Sequence, residues 1–192
     1  MELELMRTAP PKERADAARN RAKVLAAAAE LFAAHGVESV SMDAIAAAAG
    51  VGKGTLFRRF GDKAGLAVAL LDERERELQD AILSGPAPLG PGAAAGERLR
   101  AFADAYFDFA AAHLPLVRMS ETASPGARYR IGAYRFWHRH LTILLDGEDD
   151  PEALAHALLA SLAAEHLAAV VDDLGAERAR GAVRALFAAH AR

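Results

Sequence analysis

A chain of 192 residues, 53% of them hydrophobic, can bury a substantial core in one domain or two small ones. It contains no cysteine, which excludes disulfides, thiolate metal sites and cysteine nucleophiles and fits a reducing compartment. The net charge of −3 hides an asymmetry: Arg7 to Leu66 holds ten Lys/Arg against six Asp/Glu, whereas Ala67 to Arg192 holds thirteen against eighteen, so only the front of the chain suits a polyanion.

The opening MELELMRTAPPKERADAARNRAK lacks the apolar run of a secretory signal, and residues 1–18, polar and containing Pro10-Pro11, read as a flexible arm. From about Asn20 to His35 the apolar residues Val24, Leu25, Ala28, Leu31 and Phe32 recur at helical spacing, and Gly36 stops the helix.

A tight pair of short helices is expected in SMDAIAAAAGVGKGTLFRRFGDK, Ser41 to Lys63. Ser41 can cap the first helix, Asp43 suits its positive end, and Met42, Ile45, Ala46 and Ala49 share one face. Gly50 stands where a left-handed residue ends a helix at little cost. A second helix from about Lys53 to Phe60 puts Leu56 and Phe60 on a packing face and Gly54, Thr55, Arg58 and Arg59 opposite them. A glycine that permits close approach, a hydroxyl and two guanidinium groups are what a helix needs in a major groove. Gly61-Asp62 reads as the capped start of the next helix, so its amino end and Lys63 can meet one phosphate.

Together with Val24 to Phe32, His35-Gly36-Val37, Val40-Ser41-Met42, Phe60, Lys63 and Leu66, this array resembles the amino-terminal domain of the TetR family of transcriptional regulators over roughly residues 20–66. The resemblance implies that Ser41 contacts a phosphate, that Gly52, Lys53, Gly54 and Thr55 open the recognition helix, and that Phe57, Arg58, Arg59 and Lys63 complete the DNA surface. Two positions depart from the family pattern. Phe57 stands where tyrosine is usual and loses a phosphate hydrogen bond, and Arg59 stands where histidine is common and makes that contact permanently charged.

After Asp62 a long helix is expected to about Leu83, its run Asp72 to Glu77 a solvated face of i,i+4 pairs. Ser84 to Gly92 breaks the chain. Helices follow over about Ala94–His113, then, beyond Pro115 and Ser124-Pro125-Gly126, over about Ala127–Leu145. Asp150-Pro151 starts a helix expected to reach Leu174, Gly175 ends it, and a last helix covers about Ala176–His190. No segment alternates as a strand does.

His138 and His140 are two apart and point about 200° apart on a helix, His156 and His166 ten apart lack a partner carboxylate, and no metal or other cofactor is expected. Gly50 to Thr55 lacks the spacing of a phosphate loop, and no nucleophile, base and orienter combination marks an enzyme.

The expectation is an all-α chain: residues 1–66 a helix-turn-helix DNA-binding domain, residues 67–192 a helical effector-binding and dimerisation domain. The resemblance implies a cytoplasmic, one-component regulator, a repressor by the family's usual mode. Its partners would be double-stranded operator DNA and a small-molecule effector, with a homodimer through the two carboxy-terminal helices and no membrane. The effector candidates are Leu99, Phe102, Tyr106, Phe109, Tyr134, Trp137 and His138, for a largely apolar ligand with a polar end. The rival readings are a helical ligand carrier or enzyme whose helix-turn-helix is only structural, and a regulator without an effector.

Overall fold

The computed structural model describes residues 12–191, which hold no β-strand beyond one isolated bridge between Asp146 and Glu148. Backbone contacts divide the chain into two compact units, Met1–Leu66 and Ala67–Arg192.

The first unit contains α1 (Lys12–His35), α2 (Met42–Ala49) and α3 (Lys53–Phe60), and α4 (Lys63–Ser84) starts at its end. Of the arm expected over residues 1–18, residues 1–11 lie outside the described ones, while 12–18 form the first turns of α1, which begins before Asn20. The Arg59 guanidinium donates to the carbonyl of Ala17 at 2.7 Å, a partner that no local pattern announces. Val24, Ala28 and Phe32 of α1, Met42, Ile45 and Ala46 of α2, Leu56 of α3 and Leu66 are buried.

The caps follow the chemistry of the sequence. Ser41 is extended, and its Oγ accepts from the Ala44 N–H at 3.1 Å, satisfying a free donor of α2. Gly50 is left-handed, with φ 64°, and its N–H closes on the carbonyls of Ala46 and Ala47. Asp62 caps α4 by accepting from the Gly65 N–H at 2.8 Å. A Cβ on Gly65 would lie 1.9 Å from the Phe60 carbonyl oxygen, so only glycine lets α4 start this close behind α3.

The second unit contains the rest of α4, α5 (Ala95–Ala112), α6 (Leu114–Thr122), α7 (Ala127–Arg130), α8 (Gly132–Leu144), α9 (Pro151–Ala160), α10 (Ala164–Leu174) and α11 (Ala176–Ala188). Its core joins Ile82 of α4, Leu99, Phe102, Tyr106 and Phe107 of α5, Trp137 and Leu141 of α8, Leu158 and Leu159 of α9, and Val183 and Phe187 of α11. Arg180 and Arg184 of α11 pair with Asp104 and Asp108 of α5 along the rim of that contact.

Two expected helices are each two. The segment from Ala127 breaks at Ile131, which is extended (φ −66°, ψ 134°), where Arg130 turns back to Ser124 Oγ at 2.7 Å and to the Pro125 carbonyl. The segment from Pro151 breaks after Ala160 and bends by 49°. The reason is tertiary: Glu121 of α6 accepts from the Ala164 N–H at 2.8 Å and so supplies the cap that lets α10 begin. Asp150 caps α9 through the Ala153 N–H at 3.0 Å, as the acidic start implies. Among the described residues no single helix is long and apolar enough to cross a membrane.

Candidate functional site

The α2–α3 pair presents one exposed face. Leu56 is buried and Phe60 half-buried beneath α3, leaving Gly52, Lys53, Gly54, Thr55, Phe57, Arg58 and Arg59 exposed, with Ser41 exposed at the start of α2. No atom would crowd a Cβ at Gly54, so a ligand can approach the α3 backbone closely there. Lys53 bridges to Asp43 of α2 at 2.7 Å, a solvated pair of modest worth, and its ammonium lies 5.9 Å from the Phe57 ring centre. Arg58 makes no hydrogen bond or ion pair with the described residues, whereas Arg59 is held by the Ala17 carbonyl.

Lys63 behaves differently from its neighbours on that face. Its half-buried ammonium donates to the carbonyls of Val37, Glu38 and Val40 at 2.9, 3.0 and 3.2 Å. Those three bonds use all three of its donors and tie down the turn that leads into Ser41. In this structure Lys63 shapes the surface from behind and does not present its charge.

A cavity of about 20 Å³ in the second unit is lined by Tyr106, Phe109, Tyr134 and Trp137 together with Glu75, Ser120, Glu121, Arg128 and Ile131. It has room for roughly one water. Of the effector candidates, Leu99, Phe102 and His138 do not line it. Leu99 and Phe102 are fully buried core, and His138 faces α9, its ring centre 4.0 Å from that of His156. The Tyr134 hydroxyl bonds His156 Nδ1 at 2.6 Å. His156 and His166 stand on different helices, and the described residues hold no group of three or more His, Asp or Glu placed to hold a metal.

Tyr129 and Arg135 are exposed, so the polar end of the cavity is built from other residues. It consists of Glu75, Glu121 and Arg128. Glu75 lies in the run read as a solvated face, yet its side chain turns inward, and burial, with Asp72 nearby, pushes its carboxyl up to about 7. Arg128 is 8% exposed, paired with Glu121, and donates to the Leu159 carbonyl at 2.7 Å. Burial raises the Tyr106 phenol, with Arg128 pulling it back. A hydrophobic periodicity in α4 gives no sign of Glu75's role, because every residue from Asp72 to Glu77 is charged.

Residues 24–70 match the family model described as bacterial regulatory proteins, tetR family. Over that amino-terminal segment the chain is similar to the TetR family. An HTH-type transcriptional regulator of Staphylococcus aureus (strain USA300) is 47% identical over 53 residues, a match spanning 28% of this chain and 29% of that relative's length. A TetR-family transcriptional regulator from Pectobacterium atrosepticum superposes with a TM-score of 0.63 at 25% identity, over 90% of this chain and 92% of its own. The FadR of Thermus thermophilus, a TetR-family repressor solved in complex with lauroyl-CoA, gives a TM-score of 0.63 at 19% identity, over 87% of this chain and 92% of its own. At that identity the second likeness concerns the fold alone. The TetR match runs from residue 24 to residue 70, so it covers α1 from Val24, α2, α3 and the start of α4 and leaves the cavity outside it.

Proposed function

We propose that this chain is a dimeric transcriptional repressor of the TetR family that reads a two-fold symmetric operator through α3 and releases it when a small molecule enters the cavity behind α4. The observation that carries the DNA reading is the capped α2–α3 pair, which exposes Thr55 and Arg58 on one face inside the segment that matches the family model. Ser41, Lys53, Gly54, Phe57 and Arg59 complete that surface, Gly52 caps α3, and Lys63 positions the surface without touching DNA. The protein works in the cytoplasm, where the DNA is, without a membrane partner or a catalytic step.

Coupling runs through α4, which carries Lys63 at its start and Glu75 in the cavity wall. A ligand that shifts α4 moves the turn held by Lys63, and a coupling of about 1–3 kcal/mol per site is enough to release an operator. DNA must then weaken ligand binding by the same factor.

The test is selection of DNA from a random pool followed by affinity measurement across salt concentrations. If each subunit neutralises about three to five phosphates, log K against log[salt] falls with a slope near −5 to −9. Equal affinity for selected and random DNA, or an affinity indifferent to salt, defeats the proposal. A second reading, a regulator that stays on DNA without an effector, is favoured by the closed state of the cavity, which at about 20 Å³ admits little more than a water. An operator affinity unmoved by any ligand that changes Trp137 fluorescence would decide for that reading.

A further inference from the structure

The charges around the cavity do not cancel. Arg128 and Glu121 satisfy one another: the guanidinium pairs with Glu121 Oε1 and bonds the Leu159 carbonyl, and Glu121 Oε2 accepts from the Ala164 N–H. The guanidinium also lies 5.3 Å from the centre of the Tyr134 ring. Its charge is matched by a carboxylate in contact. Glu75, also in the lining, has no hydrogen bond or ion pair with the described residues; Arg76 on its own helix pulls its carboxyl down less than burial pushes it up, and is itself bridged to Asp72 at 3.4 Å. The lining therefore carries two carboxyls against one guanidinium.

The rings beside that carboxyl stand at steep angles to one another. The Tyr106 ring centre is 5.8 Å from that of Phe109 at 60°, and 5.8 Å from that of Trp137 at 82°. Each ring carries negative charge on its face, so a lining rich in aromatic rings favours a cation over an anion.

The geometry points to a monocationic ligand, an alkyl- or arylammonium, as the occupant of this cavity, with Glu75 as its charge partner and Tyr106, Phe109 and Trp137 as its walls. The inference rests on the reading of the cavity as the effector site. In the empty protein a proton does what the ligand's charge would do, since burial holds the Glu75 carboxyl at about 7 and half-protonated near neutrality. A bound ammonium displaces that proton. An occupant larger than water enters by moving Phe109 and Ile131, both half-buried, the latter at the break between α7 and α8.

Trp137 is the only tryptophan in the chain and reports directly on the site. Three probes of similar size are titrated against its fluorescence: benzyltrimethylammonium, its neutral isostere neopentylbenzene, and the anion phenylacetate. The ammonium should bind about tenfold or more tighter than the isostere. That advantage should vanish in Glu75→Gln, whose fold is checked by circular dichroism, and in the wild type it should shrink as pH falls from 8 to 6 with proton uptake by Glu75. Equal binding of ammonium and isostere, tighter binding of phenylacetate, an unchanged preference in Glu75→Gln, or no response to any probe at millimolar concentration each overturns the inference. DNA affinity measured in the same samples separates the two readings. Ammonium binding that leaves DNA affinity unchanged defeats the effector role and leaves the ligand class standing. An apolar or anionic ligand that releases DNA through this cavity does the reverse.

Discussion

Arg59 spends a guanidinium N–H on the Ala17 carbonyl, while its neighbour Arg58 makes no bond with the described residues, so the two arginines of α3 should behave differently on replacement. Arg58→Ala should cost about 1–3 kcal/mol of operator affinity and relax one position of the site. Arg59→Ala should weaken selected and random DNA alike and slightly lower the melting temperature, since it loosens α1 from α3. Competition binding against single-base operator variants distinguishes the two, and identical profiles would remove the assignment. Titrating groups inside the second unit oppose one another in their pH effects. His140 is 8% exposed with Nε2 unbonded, and burial lowers it to about 4 from 6.5. The unfolded chain takes up this proton near pH 6.5 and the folded one only near 4, so stability is full above 6.5 and declines as pH falls through that window. With one unit worth about 1.4 kcal/mol, the swing is of order 3 kcal/mol. Glu75, raised from 4.5 to about 7, acts with the opposite sign: the folded protein holds the proton longer, and stability declines as pH rises from about 4.5 to 7. Because the two effects oppose, His140→Leu should gain most at pH 5 and Glu75→Gln most at pH 7.5, and melting temperatures at the two pH values should lie further apart in either variant than in the wild type.

At the scale of elements, Glu121 does two jobs from α6. It neutralises buried Arg128 and caps α10. Glu121→Ala should destabilise by about 3–5 kcal/mol, because it leaves a charge buried without its partner. Glu121→Gln keeps an acceptor for the Ala164 N–H and should cost less, and a denaturant series on both variants measures the difference. If the two variants unfold at the same midpoint, the cap contributes nothing. The divided helices have the same origin: sequence periodicity runs unbroken through Ala160 to Ala164, and it is a carboxylate from another helix that starts α10 afresh.

For the molecule as a whole, the proposed dimer must use less apolar surface than the composition of α9 to α11 promises. Leu158, Leu159, Leu162 and Leu167 are buried in their own subunit, as are Val183 and Phe187, and Leu154, Val170 and Val171 are half-buried. What remains on the surface includes Leu174 at 36% and Leu186 at 41% exposure. Leu186, Val170, Ala182 and His166 border a groove of about 150 Å³ between α10 and α11. Leu186→Glu should give a monomer in sedimentation at micromolar concentration, with operator affinity falling at least tenfold, since a symmetric site needs two recognition helices joined. A Leu186→Glu dimer that still binds the operator would move the interface elsewhere.

Local chemistry by itself determined the helical class, the starts and stops of most helices and the exposed face of α3, because caps, left-handed glycines and the 3.6-residue period act over a few neighbouring residues. Ser41, Gly50, Asp62 and Asp150 are legible in this way. Only the tertiary structure decided the inward turn of Glu75, the burial of Arg128, the commitment of Lys63 to three carbonyls and the break before Ala164. Each of these depends on an atom supplied from 23 or more residues away, or from a different helix, and the polarity of a side chain does not say which distant partner will satisfy it.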